Sequence, residues 1–280
     1  MVFSISICSE VIRGLDFRAQ CSLARQLGYD GLEIAPFTLS EAPHRLTPAA
    51  IAEFRSVAAG EGIAISGLHW LLASPAGLSI TSTDPSVFNR TVDFGRRLVE
   101  LCAELGGAYL VHGSPAQRQL APGHEEEGRK RGAAYFAAMA EAAAGAGMRY
   151  YIEPLARKST GFVTRIEDAL AIIDQIGSPS LGTMVDCYAA ASNGEDIPAL
   201  LRQWVPKGVI RHVHLNDPNG RGPGEGTLAF APIITALSEL GYAGAMAIEP
   251  FTYEPDGPTS AARSIGYIRG IIEAGTVRGD

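Results

Sequence analysis

The sequence predicts an α/β protein, a single (β/α)8 TIM barrel, from three observations. Eight short runs rich in β-branched and aromatic residues recur along the chain, amphipathic stretches of helical period separate them, and no linker or low-complexity segment intervenes. Strands alternating with helices give a parallel sheet, and eight of them close it. The 280 residues suit one such domain over residues 1–280. The alternative, an open doubly wound sheet, calls for a Gly-rich first turn, and "CSEVIRG" is not one.

In chain order the predicted strands are "FSISIC" (3–8), "GLEIAP" (31–36), "AISGLHW" (64–70) and "AYLVHG" (108–113). The second half continues with "RYYIEP" (149–154), "LGTMVD" (181–186), "VIRHVHL" (209–215) and "AMAIEP" (245–250). Between them, stretches such as "VFNRTVDFGRRLVELCAELG" and "AAYFAAMAEAAAGAG" repeat apolar residues at three and four, as helices do. "LGYDG", "LGGAY", "AGMRY" and "LGYAG" sit at helix-to-strand turns, where Gly caps the helix. "HEEEGRKRG" (124–132) reads as a solvated helix start, with acids near its amino end.

Composition narrows the class. Hydrophobic residues make up 46% and charged residues 19%, enough for a large core and against disorder. Net charge is −7 with no basic cluster, which argues against nucleic-acid and anionic-membrane partners. The four cysteines show no paired spacing, the amino terminus reads as a strand instead of a signal peptide, and no apolar run reaches spanning length. The expectation is a soluble cytoplasmic protein, with a homo-oligomer (dimer or tetramer) compatible with the fold.

Four polar residues close the last four strands: Glu153, Asp186, His214 and Glu249, spaced 33, 28 and 35 residues apart. A barrel unit averages about 31 residues, so each recurs once per unit. Counting back by two gives Tyr151, Met184, His212 and Ala247 as a deeper interior layer, while Ile152, Val185, Val213 and Ile248 face the helices. Active sites of such barrels lie at the strands' carboxyl ends. Three carboxylates converging there repel one another, and a divalent cation relieves that conflict. Oxygen-rich ligation with one nitrogen suits Mn²⁺, Mg²⁺ or Co²⁺, with Zn²⁺ possible. His212, beneath His214, reads as a packing residue.

At these residues the chain resembles the xylose isomerase-like TIM-barrel superfamily, and within it the ketose 3-epimerases and related sugar-phosphate isomerases/epimerases. The resemblance spans nearly the whole chain and is sharpest at "YIEPLARKST", "LGTMVDCY", "HVHLNDPNGRGPGEGTL" and "LGYAGAMAIEPF". It implies a metal quartet of Glu153, Asp186, His214 and Glu249, with Glu153 and Glu249 as the acid/base pair. Two positions depart from the ketose 3-epimerase pattern. Ala189 stands three residues after the metal Asp, where a histidine is usual, and Ser159 six after the first metal Glu, where an acid is frequent. The strand-seven arginine is displaced to Arg221.

The implied activity is that of a metal-dependent sugar isomerase or epimerase acting on a ketose or related polyol or sugar phosphate, working by proton abstraction and a metal-stabilised enediolate. Further residues expected on the sugar are His69, His112, Glu33, Trp70 and Arg221, the last in a mobile loop over the pocket. Three other readings carry the same barrel: an inosose-type dehydratase or lyase, an abasic-site endonuclease, and a sugar-binding protein without catalysis. The acidic charge and only six histidines disfavour the endonuclease, and the intact Glu153/Glu249 pair disfavours the binding protein.

Overall fold

A computed structural model describes residues 3–277, with the side chains of 276 and 277 left aside. Eight parallel strands form a closed barrel in which each pairs with its neighbours in sequence and the eighth returns to the first. They are β1 (Ile5–Cys8), β2 (Gly31–Ile34), β3 (Ala64–Leu68), β4 (Tyr109–His112), β5 (Arg149–Ile152), β6 (Leu181–Asp186), β7 (Ile210–Leu215) and β8 (Ala245–Ile248). Each expected strand is present. Most are a residue or two shorter than the apolar run suggests, because residues beyond the paired segment stay buried while the barrel's stagger leaves them off the ladder.

The surrounding ring comprises α1 (Phe17–Leu27), α2 (Pro48–Glu61), α3 (Pro85–Leu105), α4 (Glu125–Gly145) and α5 (Ile166–Ile176). It continues with α6 (Cys187–Ser192), α7 (Ile197–Trp204), α8 (Phe230–Glu239) and α9 (Gly257–Val277). Local chemistry sets these boundaries. Asp16, Thr47, Asp84 and Asp196 cap the amino ends of α1, α2, α3 and α7 by accepting from backbone N–H groups. Gly28 (φ 86°) and Gly106 (φ 84°) end α1 and α3 in the left-handed conformation, as two of the turn phrases require.

The core has two parts. Between barrel and helices lies one extensive apolar cluster to which strands and helices both contribute, including Ile7, Leu32, Leu68, Leu110, Ile152, Val185, Val213 and Ile248. Inside the barrel Tyr109, Val111, Tyr151 and Met184 form a second, smaller cluster. Tyr109 stacks on Tyr151 with centroids 5.5 Å apart, and His212 lies 4.8 Å from the Tyr109 ring. This packed floor leaves only the carboxyl-terminal mouth open to chemistry. Among the described residues no helix is long and apolar enough to cross a membrane.

Candidate metal centre and active site

Register brings the four strand-end residues together. Asp186 on β6 pairs with His214 on β7, and His214 with Ala247 on β8. Glu153 and Glu249 follow β5 and β8 by one residue, and their amides continue the ladder to the carbonyls of His112 and Leu215, each at 3.3 Å. All four side chains are buried, and one ligand atom from each lies within 4.8 Å of the others.

His214 organises the group. Its Nδ1 lies 2.9 Å from Glu249 Oε2, 3.8 Å from Glu153 Oε1 and 4.0 Å from Asp186 Oδ2, yet has no hydrogen bond of acceptable geometry. Its Nε2 is taken by Glu33 Oε1 at 2.8 Å. Nδ1 is therefore the ring atom left for a cation. Among the described residues no lysine or arginine side chain pairs with the carboxylates of Glu153, Asp186 or Glu249. Burial, then the charges of Glu153 and Glu249, push the Asp186 carboxyl well above the ordinary carboxylate range. Burial opposes ionisation of Glu249 too, but the His214 and His69 imidazoles hold it down to about 2. An orphaned buried nitrogen facing three crowded carboxylates fits a divalent cation, and oxygen predominance fits a hard or borderline one.

Supporting contacts fix these groups. Asp186 Oδ1 accepts from the Ala189 amide at 2.6 Å, capping α6, while Oδ2 accepts from Asn216 Nδ2 at 2.7 Å. His69 Nδ1 meets Glu249 Oε1 at 3.0 Å, and its Nε2 meets Glu10 Oε2 at 2.9 Å. The guanidinium of Arg118, entirely buried, donates to the carbonyls of Glu153 and His112 and joins the ends of β4 and β5. Glu10, Asn216 and Arg118 were not anticipated from the sequence. Glu10 lies in the 3-10 turn Ser9–Ile12 just past β1, where the strand period of two no longer applies.

A cavity of about 240 Å³ opens over the quartet, lined by Trp70, Glu153, Asp186, Glu249 and apolar side chains from four loops. Ser159 and Ala189, the two departures noted above, are both on its wall. Of the five residues expected on the sugar, it places Trp70 there. The other four do not line it. His112 points outward, because β4 turns Tyr109 and Val111 inward. Its ring packs against Tyr135 and Phe136 of α4, and its Nδ1 bonds the Tyr150 hydroxyl at 2.8 Å. Glu33 lies one layer deeper, fully buried between His214, His212 (3.0 Å) and the Tyr109 hydroxyl (2.5 Å), so it orients His214 instead of meeting substrate. His69 is at the mouth but fully buried behind Glu249. Arg221 engages Glu225 of its own loop and Glu254 of the loop after β8, and does not line the cavity. A larger groove, about 670 Å³, lies between α4 and α5 on the outer wall, remote from the quartet.

Comparison with known proteins agrees with this geometry. The family profile described as xylose isomerase-like TIM barrel matches residues 21–271. An L-ribulose 3-epimerase from Mesorhizobium japonicum is 28% identical over 198 residues, 70% of this chain and 64% of that protein. The chain thus spans a little under two thirds of that relative. A fructoselysine 3-epimerase from Shigella flexneri is 24% identical, covering 86% of this chain and 87% of its own. Among solved structures, an L-ribulose 3-epimerase superposes with a TM-score of 0.83 at 23% identity, covering 99% of this chain and 97% of that one. A 3-keto-D-glucoside 4-epimerase from E. coli gives 0.81 at 19% identity, covering 96% and 100%.

Proposed function

The chain belongs to the xylose isomerase-like TIM-barrel family, and from that premise we propose that it is a divalent-metal-dependent isomerase, a sugar epimerase or aldose–ketose isomerase acting on a ketose or related sugar. The observation that carries this reading is the meeting of Glu153, Asp186, His214 Nδ1 and Glu249 beneath a cavity of monosaccharide size. The epimerase activities named for its relatives support it. The quartet would hold Mn²⁺, Mg²⁺ or Co²⁺, with Zn²⁺ admissible. When bound, such a cation polarises a carbonyl and stabilises the charge of an enediolate.

The residues of the chain supply the rest. Glu153 and Glu249 stand on β5 and β8, at the two ends of the arc β5–β8, with Asp186 and His214 between them. From those flanks one glutamate removes a proton from the carbon beside the carbonyl and the other returns one. Return to the opposite face of the same carbon makes an epimer. His69 and Asn216 keep the Glu249 and Asp186 carboxylates aimed inward. Four buried free cysteines accord with a reducing cytoplasm.

The test is to incubate the metal-loaded protein with ketoses in D₂O and follow deuterium at carbon by NMR. Exchange is expected, lowered roughly 10²- to 10⁴-fold in E153Q. Full activity surviving exhaustive chelation would refute the metal's role.

A further inference from the structure

The wall of the cavity away from the acids is apolar and aromatic. It is built from Trp70, Tyr188, Phe251, Leu155, Ala156 and Ala189. Tyr188 and Phe251 meet edge to face with centroids 5.1 Å apart. Phe251 stays 41% exposed, one of only two large apolar side chains so exposed among the described residues. Trp70 is held at φ 46°, a left-handed conformation unusual for a bulky residue, and its ring is braced edge-on by Phe37 at 5.4 Å. Such an outlier at a cavity edge marks a position that the surrounding structure enforces. Beyond the three acids, the lining's hydrogen-bonding side chains are the Ser159 and Tyr188 hydroxyls and the Trp70 indole. No lysine, arginine or histidine lines it.

We propose that this wall is a subsite for a deoxygenated sugar terminus, so that the substrate is an unphosphorylated ketose ending in a methyl group, a 6-deoxyketohexose. The proposal rests on the ketose reading of the quartet and extends it to the far end of the same molecule. With the hydroxyketone at the acids, the distal carbons lie along aromatic faces that offer a hydroxyl few partners. A methyl loses nothing there, whereas a terminal hydroxyl leaves its water for an apolar surface. A phosphate fares worse, since its charge would meet the same apolar wall with no lysine or arginine in the lining. Lys158 Nζ sits 4.6 Å from the Tyr188 centroid, on an exposed side chain outside the lining. The volume of about 240 Å³ falls below the roughly 300–1,000 Å³ of pockets for drug-sized ligands, which leaves no room for a large substituent.

Matched pairs test this directly: D-tagatose against 6-deoxy-D-tagatose, L-fructose against 6-deoxy-L-fructose, and D-fructose 6-phosphate. Each is given to the Mn²⁺-loaded protein in D₂O. The expected kcat/KM is roughly ten- to a hundredfold higher for the deoxy member of each pair, the range a pocket achieves against one extra hydroxyl. F251A is expected to narrow that ratio by raising KM for the deoxy sugar. Binding is read separately. Trp70 and Trp204 are the only tryptophans. In W204F the fluorescence of Trp70 alone should therefore respond to 6-deoxy-D-tagatose at concentrations where D-tagatose leaves it unchanged.

Equal or better turnover of the hydroxylated sugars, with exchange intact, overturns the subsite and leaves the epimerase reading standing. Preferred turnover of the phosphate ester, lost in K158A, overturns it too and assigns Lys158 to the phosphate. Absence of exchange in every ketose removes the epimerase reading, and the Trp70 titration then decides whether the wall still selects a methyl terminus.

Discussion

At Gly113 a methyl group would occupy the space that Glu153 needs: an ideal Cβ lies 1.6 Å from Glu153 Oε2. The position follows Val111 by two and so faces the barrel interior at the end of β4. The side chain it lacks is what lets a carboxylate from β5 swing into the quartet. Gly113→Ala should therefore fold, since the end of one flexible side chain can move away, but it should bind Mn²⁺ at least tenfold more weakly. Calorimetric titration measures this, with circular dichroism as the check on folding, and unchanged affinity would refute it. The quartet itself was legible because three independent cues coincide: polar residue, strand end and shared parity. His112 was misread because "AYLVHG" is apolar on both faces, as strands of parallel sheets are, and alternation then gives no sign of which side is inward. The depth of Glu33 below the mouth is set by inter-strand stagger, which one strand's sequence does not contain.

Among the elements, α6 was not foreseen, because six residues of "CYAAAS" are too short to show a period. It forms where Asp186 caps its first turn. Asp186 thus caps a helix and also stands in the proposed metal quartet, and the two roles can be separated. Serine retains a capping oxygen but withdraws the carboxylate, whereas alanine removes both. In chelated protein D186A should be less stable than D186S by about 1 kcal/mol, measured by urea denaturation. Equal stabilities would show that the cap contributes nothing. A second element-scale prediction concerns β4 against α4. Burial, reinforced by the Arg118 charge, holds the His112 imidazole well below its ordinary pKa, so it stays neutral in the folded protein. The unfolded chain takes up a proton near pH 6.5 that the folded chain refuses. Stability from this residue is therefore undiminished above that pH and lost as pH falls below it. Between pH 7.5 and 5 stability should therefore fall as pH falls, with a slope approaching one proton. H112F fills the same aromatic nest and should lack that one-proton slope. An identical pH dependence in both proteins would overturn the assignment.

For the whole molecule, the four proposed ligands lie at or just past the ends of β5, β6, β7 and β8, so one cation would tie half of the barrel together at its mouth. The fold as a whole was legible because every unit repeats the same period change, from two to about 3.6, and eight repeats leave one closed solution. What the repeats do not encode is where the tertiary load falls. In the absence of a cation the mouth holds mutually repelling acids within one crowded space, opposed by His214, His69 and Asn216. Binding should therefore stabilise the native state by mass action, by about 2.7 kcal/mol at a free Mn²⁺ concentration one hundred times the dissociation constant. For a domain of 280 residues this corresponds to a melting temperature higher by roughly 5 °C than in EDTA. The gain should also be uneven. Hydrogen exchange at the ends of β5–β8 should slow more than at β2–β4, which supply no member of the quartet. A uniform change in protection, or equal melting temperatures with and without the ion, would mean that these four side chains do not share a cation. The acids would then be held by the imidazoles alone.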